Sequence, residues 1–235
     1  MSFPSTTSSP VENGVIGLLL SGGLDSTILL GHLLDRGGIV QPFYVRAGLY
    51  WEQAESRAVE QIMSYWRSPA LRPLKIFDMP LADLYGDHWS LSGREVPDAR
   101  TPDEAVYLPG RNLLLTLKGA LWCGLHGIGT LALAPLGSNP FADATPEFFR
   151  QWQSVLESAT GARVALVRPF ADFHKREVME LGRRFPLELT FSCIAPRAGL
   201  HCGVCNKCAE RREAFRIAEL PDPTTYAAGV ALPDR

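Results

Sequence analysis

The sequence predicts an α/β fold: a doubly wound, mainly parallel sheet carrying a small cysteine-rich appendage at its C-terminal end. Three observations support this. From Gly14 onward, short apolar runs alternate with helix-length amphipathic stretches; a Gly-Gly turn joins the first run to the first helix; and four of the five cysteines fall between residues 193 and 208. Strands buried on both faces read as continuous apolar runs, and strand–helix alternation covers both faces of a parallel sheet with helices. Right-handed crossovers then give the doubly wound form.

In chain order, residues 1–13 read as a frayed Ser/Thr/Pro tail, without the cationic and apolar regions of a secretory signal. Residues 15–20 read as a buried strand and 25–35 as a helix with Ile28, Leu29 and Leu33 inward. A second strand covers 39–45, and a helix over 51–66 places Ala54, Ala58, Ile62 and Trp66 on one face at helical spacing. A short strand follows at 74–77. Residues 80–110 lose the rhythm and are rich in Asp, Gly, Pro and Arg, the composition of a functional flap. Helix 112–125, strand 130–134, helix 145–158, strand 164–167 and helix 174–184 restore the alternation. A last helix is expected near 209–220. The division is therefore a tail at 1–13, a nucleotide-type α/β domain at 14–189 and a metal-binding segment at 190–235.

Composition narrows the class. The chain has 235 residues, 46% apolar and 20% charged, with a net charge of −2. Such a length buries a core without disulfides. With no basic excess to release counterions, sequence-blind binding to nucleic acid or anionic lipid is not expected. No apolar run approaches the roughly 20 residues of a spanning helix. An odd number of clustered cysteines suits a reducing compartment, so the expected location is the cytoplasm.

The sharpest local feature is Leu20-Ser21-Gly22-Gly23-Leu24-Asp25-Ser26-Thr27, between the first strand and the first helix. The glycines permit a tight turn, the hydroxyls add donors, and the helix N-terminus adds positive potential. Together they suit phosphate oxygens at the carboxyl end of a strand. The Walker ending Gly-Lys-Ser/Thr is missing. The plain alternative is a Gly-Gly turn with Asp25 or Ser26 capping the helix.

Cys193, Cys202, Cys205 and Cys208 follow the spacing C-x8-C-x2-C-x2-C. Four thiolates close a tetrahedral shell, and an all-sulfur set selects zinc or iron–sulfur over hard cations. Structural zinc is the leading reading, beside buried structural cysteines, a redox pair and an iron–sulfur cluster. Cys123 reads as core, and His201 as a neighbour of the cluster rather than a ligand.

SGGLDS resembles the pyrophosphate-loop signature of the ATP pyrophosphatase superfamily. Together with VYLPGRNLLL (106–115), DFHKREVMELG (172–182) and ELTFSC…HCGVCNKCAERREAF (188–215), the chain resembles the 7-cyano-7-deazaguanine synthases from about residue 15 to 226. The resemblance implies an ATP-dependent carbon–nitrogen ligase of a queuosine-type pathway. Such an enzyme adenylates 7-carboxy-7-deazaguanine, forms the amide with ammonia and dehydrates it to the nitrile. It also implies Zn²⁺ on the four cysteines, Mg²⁺ placed with the help of Asp25, ATP phosphates on residues 20–27 and a homodimer. Lys175 matches the family's lysine and is expected at the α-phosphate. Arg111 offers a planar fork for phosphate or carboxylate, and Asn112 is a site candidate or a helix cap. Asp143 has the acceptor chemistry to read a guanine-like edge, or caps a helix, and Phe141 could stack on the heterocycle.

Two stretches depart from the family. Tyr44-Val45-Arg46-Ala47-Gly48-Leu49-Tyr50-Trp51-Glu52 stands where a Tyr-Gly-Gln-Arg-His-like run is usual, and Ser138-Asn139-Pro140-Phe141-Ala142-Asp143 replaces Ser-Gly-Tyr-Pro-Asp-Cys. The ATP half is kept and the acceptor half has drifted. This leaves open a related ligase joining the deazaguanine carboxylate to another amine, even one on a protein. A tRNA-thiolation enzyme fits Cys123 and the charge poorly, and a zinc-ribbon interaction module leaves the phosphate cradle unexplained.

Overall fold

The computed structural model describes residues 14–227, so the expected tail at 1–13 lies outside the described residues. The strands are β1 (Val15–Leu19), β2 (Ile39–Arg46), β3 (Lys75–Asp78), β4 (Thr130–Ala132) and β5 (Ala165–Val167). They form one sheet in the order β3-β2-β1-β4-β5, every pairing parallel. The helices are α1 (Leu24–Asp35), α2 (Glu52–Tyr65), α3 (Ala82–Tyr85), α4 (Trp89–Ser92), α5 (Arg111–Leu125), α6 (Pro146–Thr160), α7 (Lys175–Gly182) and α8 (Asn206–Ile217). The expected α/β alternation holds throughout, with boundaries moved by one to three residues at most ends.

Alternation along β1 builds two cores. Ile16 and Leu18 face a cluster made with Ile28, Leu29 and Leu33 of α1, Val178 and Met179 of α7, and Phe215 of α8. On the other face Phe43 of β2 joins Ala120 and Cys123 of α5 and Leu156 of α6. Each fully buried side chain of this kind stabilises the fold by roughly 1.5–3 kcal/mol. Gly17 sits where a Cβ would lie 2.7 Å from Cys123 Sγ and 2.8 Å from the Phe43 ring, so the close packing of α5 on β1 needs a glycine.

A third cluster joins the cysteines to the start of α2 and to the 80–110 stretch through Trp51, Ala54, Leu81, Val106 and Leu108. That stretch holds two one-turn helices and a 3₁₀ turn, Asp103–Val106. It is tied to the C-terminal segment by Ala99 N–H donating to Val204 O (2.8 Å) and Asn206 N–H to Pro97 O (3.0 Å). Asn206 Nδ2 donates to Thr101 O at 2.8 Å. The C-terminal segment packs on the sheet domain as well, since Ala214, Phe215 and Ala218 belong to the first core.

β1 and β4 are neighbours whose crossovers leave toward opposite edges of the sheet. The crevice outside their carboxyl ends is where open α/β sheets bind ligands.

Candidate active site

Residues 20–23 connect β1 to α1 in that crevice. Gly22 adopts φ +75°, and its carbonyl accepts from Phe191 N–H at 2.8 Å, which fixes the turn. Gly23 is the N-cap of α1 and supplies no side-chain acceptor, while the first backbone bond of the helix runs from Thr27 N–H to Gly23 O (3.1 Å). The N–H groups ahead of Thr27 therefore lack an intrahelical partner, and with the helix dipole they suit an anion. Ser21 and Ser26 hydroxyls lie 3.1 Å apart, and Ser26 Oγ donates to Gly23 O at 3.2 Å. These contacts shape the turn without filling it. A cavity of about 320 Å³ opens in front of Ser21, Gly23, Leu24, Asp25 and Ser26. Leu20 and Thr27 point instead into the core, the Thr27 hydroxyl buried without a partner among the described residues.

Lys175 opens α7 and reaches across to α1. Its Nζ donates to both Asp25 carboxylate oxygens at 2.8 Å and lies 3.9 Å from Glu210. Burial disfavours the ammonium, but Asp25 and Glu210 outweigh it and raise the Lys175 pKa. A capping box holds the end of α7: His174 N–H donates to Glu177 Oε2 at 2.7 Å. The lysine sits on the cavity wall, paired and well short of solvent exposure, as a site residue would be.

Arg111 is the first residue of α5 and lines the same cavity; its Nε is buried without a partner among the described residues. Asn112 is also on the wall, one position inside the helix, because Gly110 rather than Asn112 is the N-cap. Asp143 accepts from Asn112 N–H (2.9 Å) and from its Nδ2 (3.4 Å). It thus satisfies the start of α5, while Thr145 caps α6 through Phe148 N–H at 3.1 Å. Phe141 packs on Tyr107 with ring centroids 5.0 Å apart. Neither Phe141 nor Asp143 is on the wall of the large cavity; Asn139 from the same loop is.

Sequence reasoning passed over several residues that the fold brings to this wall. Glu55 accepts from Tyr44 OH at 2.9 Å, and burial pushes its carboxyl up to about 7 against the opposing charge of Arg111. Arg211 is almost wholly buried, donating to Thr190 Oγ1 (2.8 Å), Leu187 O (3.0 Å) and Thr224 Oγ1 (2.6 Å). Lys207 and Glu210 pair with one another beside it. The signal for Glu55 was its position next to the Ala54/Ala58 stripe of α2.

The four cysteines come together as expected, all buried, with their sulfurs within 4.8 Å of one another. Cys193 and Cys205 sulfurs are 3.8 Å apart and Cys202 and Cys208 sulfurs 3.9 Å, and all are free of disulfides. A ZnS₄ tetrahedron with bonds of about 2.3 Å has edges of about 3.8 Å, so the set fits that metal. Backbone N–H groups of Cys202, Ala195, Cys205 and Val204 donate to the sulfurs at 3.2–3.4 Å, an arrangement that favours thiolates. His201 is buried rather than solvated, and its Nε2 accepts from Ser192 N–H at 3.2 Å. Cys123 is buried in the second core, with its thiol pushed up to about 12 by burial.

Fold and site together define a phosphate-loop-type α/β protein with a four-cysteine cluster, able to hold a metal, against its crevice. Residues 16–219 match the family described as queuosine biosynthesis protein QueC, and the chain belongs to that family of enzymes. It is 30% identical over 224 residues to the 7-cyano-7-deazaguanine synthase of Nitrosospira multiformis, covering 90% of this chain and 95% of that one. The synthase of Methanothrix thermoacetophila is 31% identical over 226 residues, covering 88% and 96%. Among solved structures, a 4-thiouridine synthetase–RNA complex with bound ATP is similar at a TM-score of 0.49 and 19% identity, over 88% of this chain and 50% of that one. No helix among the described residues is long and apolar enough to cross a membrane.

Proposed function

We propose that this protein is an ATP-dependent carbon–nitrogen ligase that converts 7-carboxy-7-deazaguanine with ammonia to the amide and then to 7-cyano-7-deazaguanine. The observation that carries the reading is the open crevice at β1 and β4, where an uncapped helix N-terminus, Lys175 and Arg111 share one cavity. A carboxylate cannot lose oxide. Attack of its oxygen on the α-phosphorus of ATP releases pyrophosphate and leaves an AMP ester, which ammonia can displace.

Negative charge grows on the phosphate oxygens during that attack, so positioned donors and cations do the work. The first-turn N–H groups of α1 and the Ser21 and Ser26 hydroxyls hold phosphate, and Lys175 offers its ammonium to the α-phosphate. The Arg111 guanidinium binds the substrate carboxylate and aims it. Mg²⁺, with Asp25 among its ligands, would screen the polyphosphate. Zn²⁺ on the four cysteines would hold the C-terminal segment in place.

The test is incubation of purified protein with ATP, ammonium and 7-carboxy-7-deazaguanine, with products read by mass. The expected result is nitrile with amide as intermediate. Absence of ATP-dependent turnover of the acid overturns the reading. Lys175→Ala is expected to cut turnover while circular dichroism stays unchanged.

A further inference from the structure

The large cavity shares Leu19, Ser21, Glu55, Arg111 and Leu115 with a second cavity of about 40 Å³ behind the phosphate loop. The remaining wall of the small cavity is mostly apolar, from β2 and the turn after it, including Phe43, Val45, Ala47 and Leu49. A space of this size holds up to about three water-sized molecules and no ring. Two carboxylates reach it. Glu52 accepts from Ala47 N–H (2.6 Å) and Gly48 N–H (2.7 Å), both at Oε2, which anchors it to the turn, and it does not line the large cavity. Glu55 takes bonds from Tyr44 OH (2.9 Å) and the Trp51 side chain, which leaves lone pairs unused.

We propose that the small cavity is the ammonia site and that Glu55 is the catalytic base that takes the proton from the attacking nitrogen. The inference rests on the adenylation reading above and adds to it where the amine waits and what deprotonates it. Neutral ammonia fits the volume and can donate to the unused lone pairs of Glu55, while the charge of Arg111 on the same wall counts against ammonium. As the nitrogen lone pair forms the C–N bond, the nitrogen becomes cationic and passes one proton to the Glu55 carboxylate. The bond from the carbonyl carbon to the AMP oxygen breaks, and its electron pair leaves with AMP. The proton then leaves Glu55 for water through the large cavity. Burial holds Glu55 near neutrality, where a base both accepts and releases a proton readily. The charged and titratable groups around it are Tyr44 from β2, Arg111 from α5 and Glu52 from its own helix. The pocket's size favours ammonia over a bulkier amine, including a protein lysine.

The experiment separates the two half-reactions. Carboxylate-dependent exchange of labelled pyrophosphate into ATP reads adenylation, and amide formation at fixed free-ammonia concentration reads amination. Glu55→Gln is expected to lower amination relative to exchange on the order of a hundredfold, within the range a general base contributes. It is also expected to abolish the rise of amination with pH through neutrality. Ala47→Val, which narrows the pocket, is expected to raise the KM for ammonia severalfold relative to the KM for the acid. If exchange occurs and neither ratio moves, the ammonia site is overturned and adenylation stands. If the wild-type protein shows no exchange, the adenylation reading falls and this inference falls with it.

Discussion

Lys175 and Asp25 lie 150 positions apart in sequence and join α7 to α1 beside the phosphate loop, so their coupling reports whether the crevice is preorganised. Both Asp25 oxygens are 2.8 Å from Nζ, and the side chains are 21% and 27% exposed for Lys175 and Asp25. At an effective dielectric of about 20, opposite charges at that distance attract by about 6 kcal/mol before desolvation is subtracted. Exposed pairs retain about 0.2–1 kcal/mol, and breaking a fully buried pair costs about 3–5 kcal/mol. A pair three-quarters withdrawn from water falls between, at about 2 kcal/mol. The perturbation is a double-mutant cycle of Lys175→Met and Asp25→Asn, read by urea denaturation of the metal-loaded protein with thermal melts in parallel. For a chain of this length about 2 kcal/mol corresponds to a fall in Tm of roughly 4–8 °C for Lys175→Met. The lysine also gains stability from its folded partners in a pH-dependent way. Its folded pKa is raised, so its contribution is complete below the unfolded lysine value and disappears as pH climbs through the folded one. A coupling under about 0.5 kcal/mol would refute the reasoning, because the pair would then be a solvated contact unable to set the geometry of the crevice.

Two further outcomes are expected. Elemental analysis should find one zinc per chain, and strong chelators should expose residues 80–110 to limited proteolysis, because that stretch is bonded to Val204 and Asn206; a zinc-free protein with the same cleavage pattern counts against the metal's structural role. Glu55→Gln should stabilise the protein at pH 8 and leave it unchanged near pH 4, since a carboxyl whose folded pKa sits at about 7 destabilises the fold as pH rises from its unfolded value to that point; equal stability of both proteins at pH 8 in urea melts counts against the desolvated carboxylate.

The turn at residues 20–27 was legible because its groups are contiguous. Two glycines, two hydroxyls and the start of a helix need no tertiary partner to be recognised, and the strand before them is fixed by its apolar run. The cysteine cluster was legible for the same reason: cysteines three and nine positions apart close on one another locally. The acceptor half was not, because its groups are recruited over long sequence separations. Asp143 reads as a cap for the helix that follows it, but the fold hands its carboxylate to Asn112, 31 residues earlier, and Thr145 caps α6 in its place. Glu55 borders the Ala54/Ala58 stripe of α2, a position that helical pattern alone assigns neither to solvent nor to the interior. Only the sheet order, which sets Tyr44 of β2 opposite the first turns of α2, draws it into a hydrogen bond on the cavity wall. Local pattern fixes what a residue prefers, and tertiary contact decides which preference is used.

The cysteine cluster reaches further into the site than its place in the sequence suggests. Phe191, Ser192, Ile194, Lys207, Glu210 and Arg211 all line the large cavity, and all lie within three residues of a cluster cysteine. Arg211, one turn beyond Cys208 counted along α8, is locked by bonds to Thr190, Leu187 and Thr224, so its orientation depends on how the cysteine turns hold the start of that helix. Phe191 N–H in turn pins the carbonyl of Gly22. A tetrahedral centre on the four cysteines would therefore fix the far wall of the crevice and, through one backbone bond, the Gly22 turn itself. Bound there with no open coordination position, a metal would act on the crevice through geometry alone.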